Sequence, residues 1–172
     1  MSLKIQGVNT MKKVNDVMSE DVVTADPGMP VLEAAKMMLK EDVGCLVVMK
    51  ENKISGIVTD RDLLACAAQV HDIQKCTVSA HMSSPVVTMP PDTLLINLAK
   101  VMAAKQIKRV PVTEGGKLVG IISFSNIADD MDDQVADMWS EWLQLIAVTK
   151  TSAQHRRGRR LRKQIKNQVK VV

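Results

Sequence analysis

The sequence predicts a mixed α/β (α+β) fold in which two tandem β-α-β-β-α repeats pack as one pseudo-two-fold module, followed by a long C-terminal helix and a basic tail. Three observations carry this expectation: a gap-free internal repeat, a hydrophobic period that switches between helix and strand spacing inside each copy, and a sharp change of charge near residue 150. The 172 residues are 46% hydrophobic and 24% charged, which suits a globular chain with a real core and argues against disorder throughout. With 12 Met, one Phe and no Tyr, that core must rest on Val, Ile, Leu and flexible Met.

Sliding the chain on itself by 64 residues aligns Met18–Leu64 with Met82–Ala128 without a gap. Met18-Ser19 meets Met82-Ser83, Val22-Val23-Thr24 meets Val86-Val87-Thr88, Ala35-Lys36 meets Ala99-Lys100, and Gly56-Ile57 meets Gly120-Ile121. Each copy opens on a short β-branched run, Val22–Thr24 or Val86–Thr88, stopped by a proline-containing turn. A helix follows, with Val31, Leu32, Ala35, Met38 and Leu39 on its expected apolar face, and Leu94, Leu95, Leu98, Met102 and Ala103 on that of copy 2. Two extended runs come next, Cys45–Met49 and Lys53–Val58, then Arg109–Thr113 and Lys117–Ile122. The second pair is joined by Glu114-Gly115-Gly116, a hairpin turn. A helix starting near Asp60 or Ser125 closes each copy. The expected organisation is an extension over 1–13, repeat 1 over 14–70, repeat 2 over 78–131, a continuation of the closing helix over 132–150, and the tail over 151–172.

The end of the last strand carries the chemistry. Thr59-Asp60-Arg61-Asp62 sits where a strand hands over to a helix, and Thr-x-x-Asp there reads as a capping box. The same geometry offers unpaired helix N–H groups and a hydroxyl to a phosphate, and carboxylate oxygens to ribose hydroxyls. Copy 2 has Ser123-Phe124-Ser125-Asn126, with an amide in place of the acid. Basic residues divide the other way, Lys108-Arg109 in copy 2 against Gly44-Cys45 in copy 1.

The tandem repeat, the opening Met-Ser, the Thr-x-x-Pro segments (Thr24–Pro27 and Thr88–Pro91), Val110-Pro111-Val112 and the Gly-h-h-[Ser/Thr]-x-x-Asp together resemble the CBS-domain pair, or Bateman module, over about residues 14–131. The resemblance implies a regulatory module binding AMP, ADP, ATP or a related adenosyl ligand between the repeats. It implies that Asp62 holds ribose hydroxyls, that Thr59 contacts phosphate or ribose, and that backbone near Thr24 lines the adenine pocket, with Ile57 and Pro111 beside it. Basic residues at the position of Lys108 and Arg109 commonly serve the opposite repeat in such modules. One complete site is therefore expected from Thr24, Ile57, Thr59, Asp62, Lys108, Arg109 and Pro111, and a weaker one from Thr88, Ile121, Ser123 and Asn126. The resemblance also implies a homodimer that signals to an effector protein.

No catalytic constellation is visible, and the nucleotide is expected as a regulatory ligand, not as a catalytic cofactor. Cys45, Cys66 and Cys76 form no CxxC pair and have no histidine at metal-ligand spacing, so free thiols and no metal are expected. No run approaches the ~18 apolar residues of a membrane span and no signal segment opens the chain, which makes the cytoplasm the expected location.

Residues 151–172 carry eight of the 23 Lys and Arg and no acid. Before them, Ile127, Met131, Val135, Met138, Trp142, Leu145 and Thr149 fall at steps of three or four, predicting one long amphipathic helix. For Arg156, Arg157, Arg159, Arg160, Arg162 and Lys163, three roles fit: a solvated tail, or one neutralised by the Asp129–Asp137 cluster in the same dimer; sequence-blind contacts to nucleic-acid phosphates; or docking to a protein or anionic membrane. The alternatives to a ligand sensor are thus a nucleic-acid-associated regulator and a scaffold with vestigial nucleotide sites.

Overall fold

Short apolar runs rich in Val, Ile and Leu, and stripes of Ala, Met and Leu at helical spacing, settle into the expected order. The computed structural model describes residues 12–69 and 75–129. The chain divides into two units, residues 1–127 and 128–172, and the first holds both repeats. In it β1 (Thr24–Ala25), α1 (Val31–Lys40), β2 (Cys45–Lys50), β3 (Lys53–Thr59) and α2 (Asp60–Gln69) form copy 1. Copy 2 has α3 (Leu95–Lys105), β4 (Arg109–Glu114), β5 (Lys117–Ser123) and α4 (Phe124–Asp129), the last running just past the boundary of the unit. The predicted continuation over 132–150 and the tail lie outside the described residues.

In copy 1 the sheet order is β1-β2-β3, parallel between β1 and β2 and antiparallel between β2 and β3. Copy 2 keeps the antiparallel pair β4-β5 in the same register, with the bulge at the same place, between Val112 and Thr113 as between Val48 and Met49. The expected first strand of copy 2, Val86–Thr88, shrinks to a single parallel bridge between Met89 and Val112. Chemistry explains the loss. In copy 1 the Val47 N–H donates to the Val23 carbonyl at 3.1 Å. The equivalent position in copy 2 is Pro111, which has no N–H to give. Copy 1 shifts slightly too, with β1 at Thr24–Ala25 instead of Val22–Thr24.

Leu46 and Val48 of β2 point into a cluster with Val31, Ala34, Met38, Val58 and Leu63, while Val47 is buried on the other face. Each Val, Leu or Met side chain buried in this way contributes about 1.5–3 kcal/mol. In α1 the buried face is Val31, Ala34 and Met38. Leu32 and Leu39, expected inside, are 39% and 84% exposed. Both hairpin turns use left-handed backbone: Gly115 and Gly116 at φ 56° and 81°, Glu51 and Asn52 at 51° and 61°.

The repeats are tied by exchanged lead-in segments, which sequence similarity alone did not reveal. Lys12–Ser19 precedes copy 1 but docks on copy 2: Val14 N–H donates to Thr93, Asn15 to Pro91, and Lys12 accepts from Leu95. Cys76–Ser83 precedes copy 2 but docks on copy 1, with Val78 N–H on Met29, Ser79 on Pro27, and Cys76 accepting from Val31. At the ends, Ser19 and Ile121 exchange two hydrogen bonds of 2.9 Å, and Ser83 and Ile57 exchange two of 2.8 and 3.1 Å. Gly56 and Gly120 permit this approach, because a Cβ on either would meet Met82 or Met18 of the arriving segment.

Candidate functional site

Thr59 ends β3 and Asp60 opens α2, so the Thr-x-x-Asp motif lies at a strand-to-helix joint as expected. Thr59 donates to Asp62 Oδ2 through both its N–H (2.9 Å) and its hydroxyl (2.7 Å), and the Asp62 N–H reaches back toward Thr59 Oγ1 at 3.4 Å. Copy 2 reproduces this geometry. Ser123 N–H and Oγ donate to Asn126 Oδ1 at 2.9 and 2.5 Å, and Asn126 N–H meets Ser123 Oγ at 3.3 Å. Both motifs are thus capping boxes. The cap occupies one side-chain oxygen in each copy and leaves different groups over: an anionic Oδ1 on Asp62, an amide donor on Asn126. The acid-to-amide difference therefore keeps the cap and changes only the side-chain group left over.

Arg109 crosses from copy 2 to copy 1. Its Nη2 lies 2.5 Å from where a Cβ on Gly44 would stand, and Asp60 Oδ2 lies 3.5 Å from the same point. The absence of a side chain at Gly44 gives the guanidinium its room. Burial pushes the Cys45 thiol up, while Arg109 pulls it down and Asp60 adds to the rise, so all three meet at this joint. Among the described residues neither Lys108 nor Arg109 hydrogen-bonds to Thr59 or Asp62. Lys108 is exposed, and its carbonyl accepts from the Phe124 N–H at 2.8 Å.

The remaining sequence-predicted residues flank the two joints. Thr24 is exposed in β1 opposite Val47, Ile57 is half-buried in β3, and Pro111 is buried in β4. Thr88, Ile121, Ser123 and Asn126 are half-buried in copy 2. The basic residues from Arg156 to Lys163 lie outside the described residues. A separate groove of about 520 Å³ runs between α1 and α2, lined by Val31, Met38, Leu39, Leu63 and Leu64 and ending at Gly44 and Asp60.

One cluster escaped the sequence reading. Cys66, Cys76 and His81 present one ligand atom each, all within 4.8 Å of one another. Nine residues lie between the two cysteines and His81 follows Cys76 by five, but only the docking of the second lead-in brings Cys66 to the other two. No helix of the described residues is long and apolar enough to cross a membrane.

Comparison with known proteins agrees with this architecture. The CBS domain family matches residues 14–68 and 77–133. The CBS domain-containing protein YhcV of Bacillus subtilis is 35% identical over 119 residues, covering 69% of this chain and 84% of that one. Two matched relatives carry enzyme names, a homoserine O-acetyltransferase of Methanohalophilus mahii and an L-aspartate semialdehyde sulfurtransferase of Methanocaldococcus jannaschii. The match covers only 23% and 22% of their lengths. Among solved structures, the CBS-domain containing protein ATU1752 from Agrobacterium tumefaciens is 32% identical with a TM-score of 0.64, covering 69% of this chain and 98% of that one. The CBS domain pair of protein MJ0100, in complex with 5′-methylthioadenosine and S-adenosyl-L-methionine, is 29% identical with a TM-score of 0.64, covering 69% and 94%. With two tandem matches across most of its length and the exchanged two-repeat architecture, this chain belongs to the CBS domain family as a tandem CBS pair.

Proposed function

We propose that the chain is a non-catalytic cytoplasmic sensor that binds a phosphorylated adenosine, of the AMP, ADP or ATP class, between its two repeats. The observation that carries this reading is the reach of Arg109 from copy 2 to the Gly44–Asp60 joint of copy 1, beside the motif that keeps a spare carboxylate oxygen. The Asp62 Oδ1 suits vicinal ribose hydroxyls. The Thr59 donors and the first α2 N–H groups are engaged by Asp62, Asp60 and Gly44, so a phosphate would rest on Arg109 or exchange with the cap. Arg109, with Lys108 beside it, supplies the positive charge that a phosphate needs and a sulfonium does not. The adenosyl ligands held by the MJ0100 pair support the adenosyl half of the reading. Arg109 is what favours a phosphate over those ligands. Asn126 offers its amide where Asp62 offers a carboxylate, so the second site should be weak.

Leu39 and Leu64, 84% and 72% exposed beside the α1–α2 groove, are the surface a second copy of the module would cover. Ligand would act by favouring one packing of repeats or protomers over another, which requires differential affinity for the two.

The test is a thermal-shift and calorimetric panel of AMP, ADP, ATP, NAD, S-adenosylmethionine and methylthioadenosine. A ligand at about 100 times its Kd should add about 2.7 kcal/mol of stability. Phosphorylated ligands should lose tenfold or more in affinity on Arg109→Ala, while methylthioadenosine should not. Asp62→Asn should weaken every adenosyl ligand yet keep its cap, as Asn126 does, and Asn126→Ala should leave binding nearly unchanged. A flat profile for all six ligands, or equal losses from Asp62 and Asn126 variants, contradicts the reading.

A further inference from the structure

We propose that Cys66, Cys76 and His81 form a binding site for a thiophilic divalent metal ion of the zinc class. The ligand atoms, a sulfur from each cysteine and a ring nitrogen from His81, lie within 4.8 Å of one another. A triangle of that size places its centre roughly 2.8 Å from each corner, against about 2.3 Å for a zinc–sulfur bond and about 2.0 Å for zinc–nitrogen. Side-chain adjustments below about 1 Å therefore close the site. Two thiolates and an imidazole form a soft donor set that selects zinc-like ions over magnesium or calcium. On binding, each thiol gives its proton to solvent, and His81 binds through a neutral ring nitrogen.

The three backbones are held independently of any ion. Cys66 is in α2 and 1% exposed. The Cys76 carbonyl accepts from Val31 N–H at 2.9 Å, and the His81 N–H donates to Val78 at 3.0 Å. Cys76 and His81 are half-buried, which leaves one side open for a fourth ligand from solvent. The fold itself does not demand these residues. The repeat-related positions of Cys76 and His81 are Lys12 and Val17, and the first lead-in docks just as well with them. The cluster is thus peculiar to copy 1, and it lies outside the residues of the proposed nucleotide site.

Its position gives the ion a task. Cys66 belongs to the closing helix of copy 1, whereas Cys76 and His81 belong to the segment that enters copy 2. Directly after His81 come Met82, packed against Gly56, and Ser83, paired with Ile57. A bound ion would clamp this exchanged segment onto copy 1.

The experiment uses the full 172-residue chain without a polyhistidine tag, chelator-stripped and kept reduced with a phosphine. Anaerobic Co(II) titration should give one equivalent bound, with a thiolate-to-cobalt charge-transfer band and ligand-field bands of tetrahedral strength. Zn(II) should displace the cobalt and raise Tm. Cys76→Ser and His81→Ala, both at partly exposed positions, should each weaken binding at least 100-fold while circular dichroism stays unchanged, and Cys45→Ser should bind as the parent does. A folded parent without the charge-transfer band overturns the proposal. So does a band that persists at full strength in Cys76→Ser or His81→Ala, or one that disappears in Cys45→Ser.

Discussion

Adding one methyl group at Gly120 and at Gly56 should cost different amounts, although the two glycines are repeat-related. At Gly56 the three atoms nearest the new Cβ all belong to the Met82 side chain: Sδ, Cγ at 2.8 Å and Cβ at 3.1 Å. A flexible thioether can swing away, so overpacking at the low end, about 1–2 kcal/mol, is expected. At Gly120 the Cβ would meet Met18 Sδ at 2.6 Å and also the Ser19 carbonyl oxygen at 3.0 Å. That carbonyl is the acceptor for Ile121 N–H, and Ser19 N–H donates back, both at 2.9 Å. Moving it stretches a reciprocal pair of hydrogen bonds worth about 1 kcal/mol each, so Gly120→Ala should cost about 3–4 kcal/mol. Urea unfolding of the two alanine variants, with and without Met82→Ala or Met18→Ala, measures both costs and their couplings. Met82→Ala should remove most of the Gly56→Ala penalty, whereas Met18→Ala should leave at least half of the Gly120→Ala penalty. Equal costs for the two glycines, or complete rescue of Gly120→Ala by Met18→Ala, would refute the assignment of the difference to backbone.

Two further outcomes follow from surface features. Glu51 stands at φ 51° in the copy 1 hairpin where copy 2 has Gly115 at 56°, so Glu51→Gly should stabilise the chain by about 1 kcal/mol in the same urea assay. A loss of stability there would mean that the Glu51 side chain contributes more than its backbone costs. Leu64→Lys, at a side chain 72% exposed, should leave unfolding free energy within about 0.5 kcal/mol but move sedimentation velocity toward the monomer. An unchanged sedimentation profile would remove the α1–α2 groove as a self-association surface.

Much of this architecture was legible because the 64-residue register is unbroken and each local signal agrees with its neighbours. The β2-β3 and β4-β5 hairpins, the closing helices and the motif at their starts all fall where period and turn chemistry put them. The failures have physical causes. Pro111 satisfies every strand rule for β4 yet silences the strand beside it, because what it lacks is a donor needed by another segment. Leu39 fits a helix stripe, but the stripe is wider than the buried face. Thr59 and Asp62 could be located from sequence, but not the oxygen that capping leaves over. Arg109 reaches across only because position 44 is glycine, a condition that no property of Arg109 itself reveals. Cys66, Cys76 and His81 are near one another only through the docking of Cys76–Ser83, a contact that similarity between the copies does not encode.

The exchange of lead-ins bears on how such a chain could have arisen. Neither copy is closed by the residues that immediately precede it; each is completed by a segment that covalently belongs to the other. A lone ancestral repeat of this design would leave its own lead-in undocked and its body uncovered. Two identical ancestors related by a two-fold axis solve both problems at once, each arm lying on its neighbour's body as in a domain-swapped dimer. Gene duplication then turns an intermolecular embrace into an intramolecular one without moving a contact. Once fused, the halves no longer need to be identical. In this chain they are not: copy 1 carries Asp62 where copy 2 carries Asn126, and copy 2 carries Arg109 where copy 1 carries Cys45.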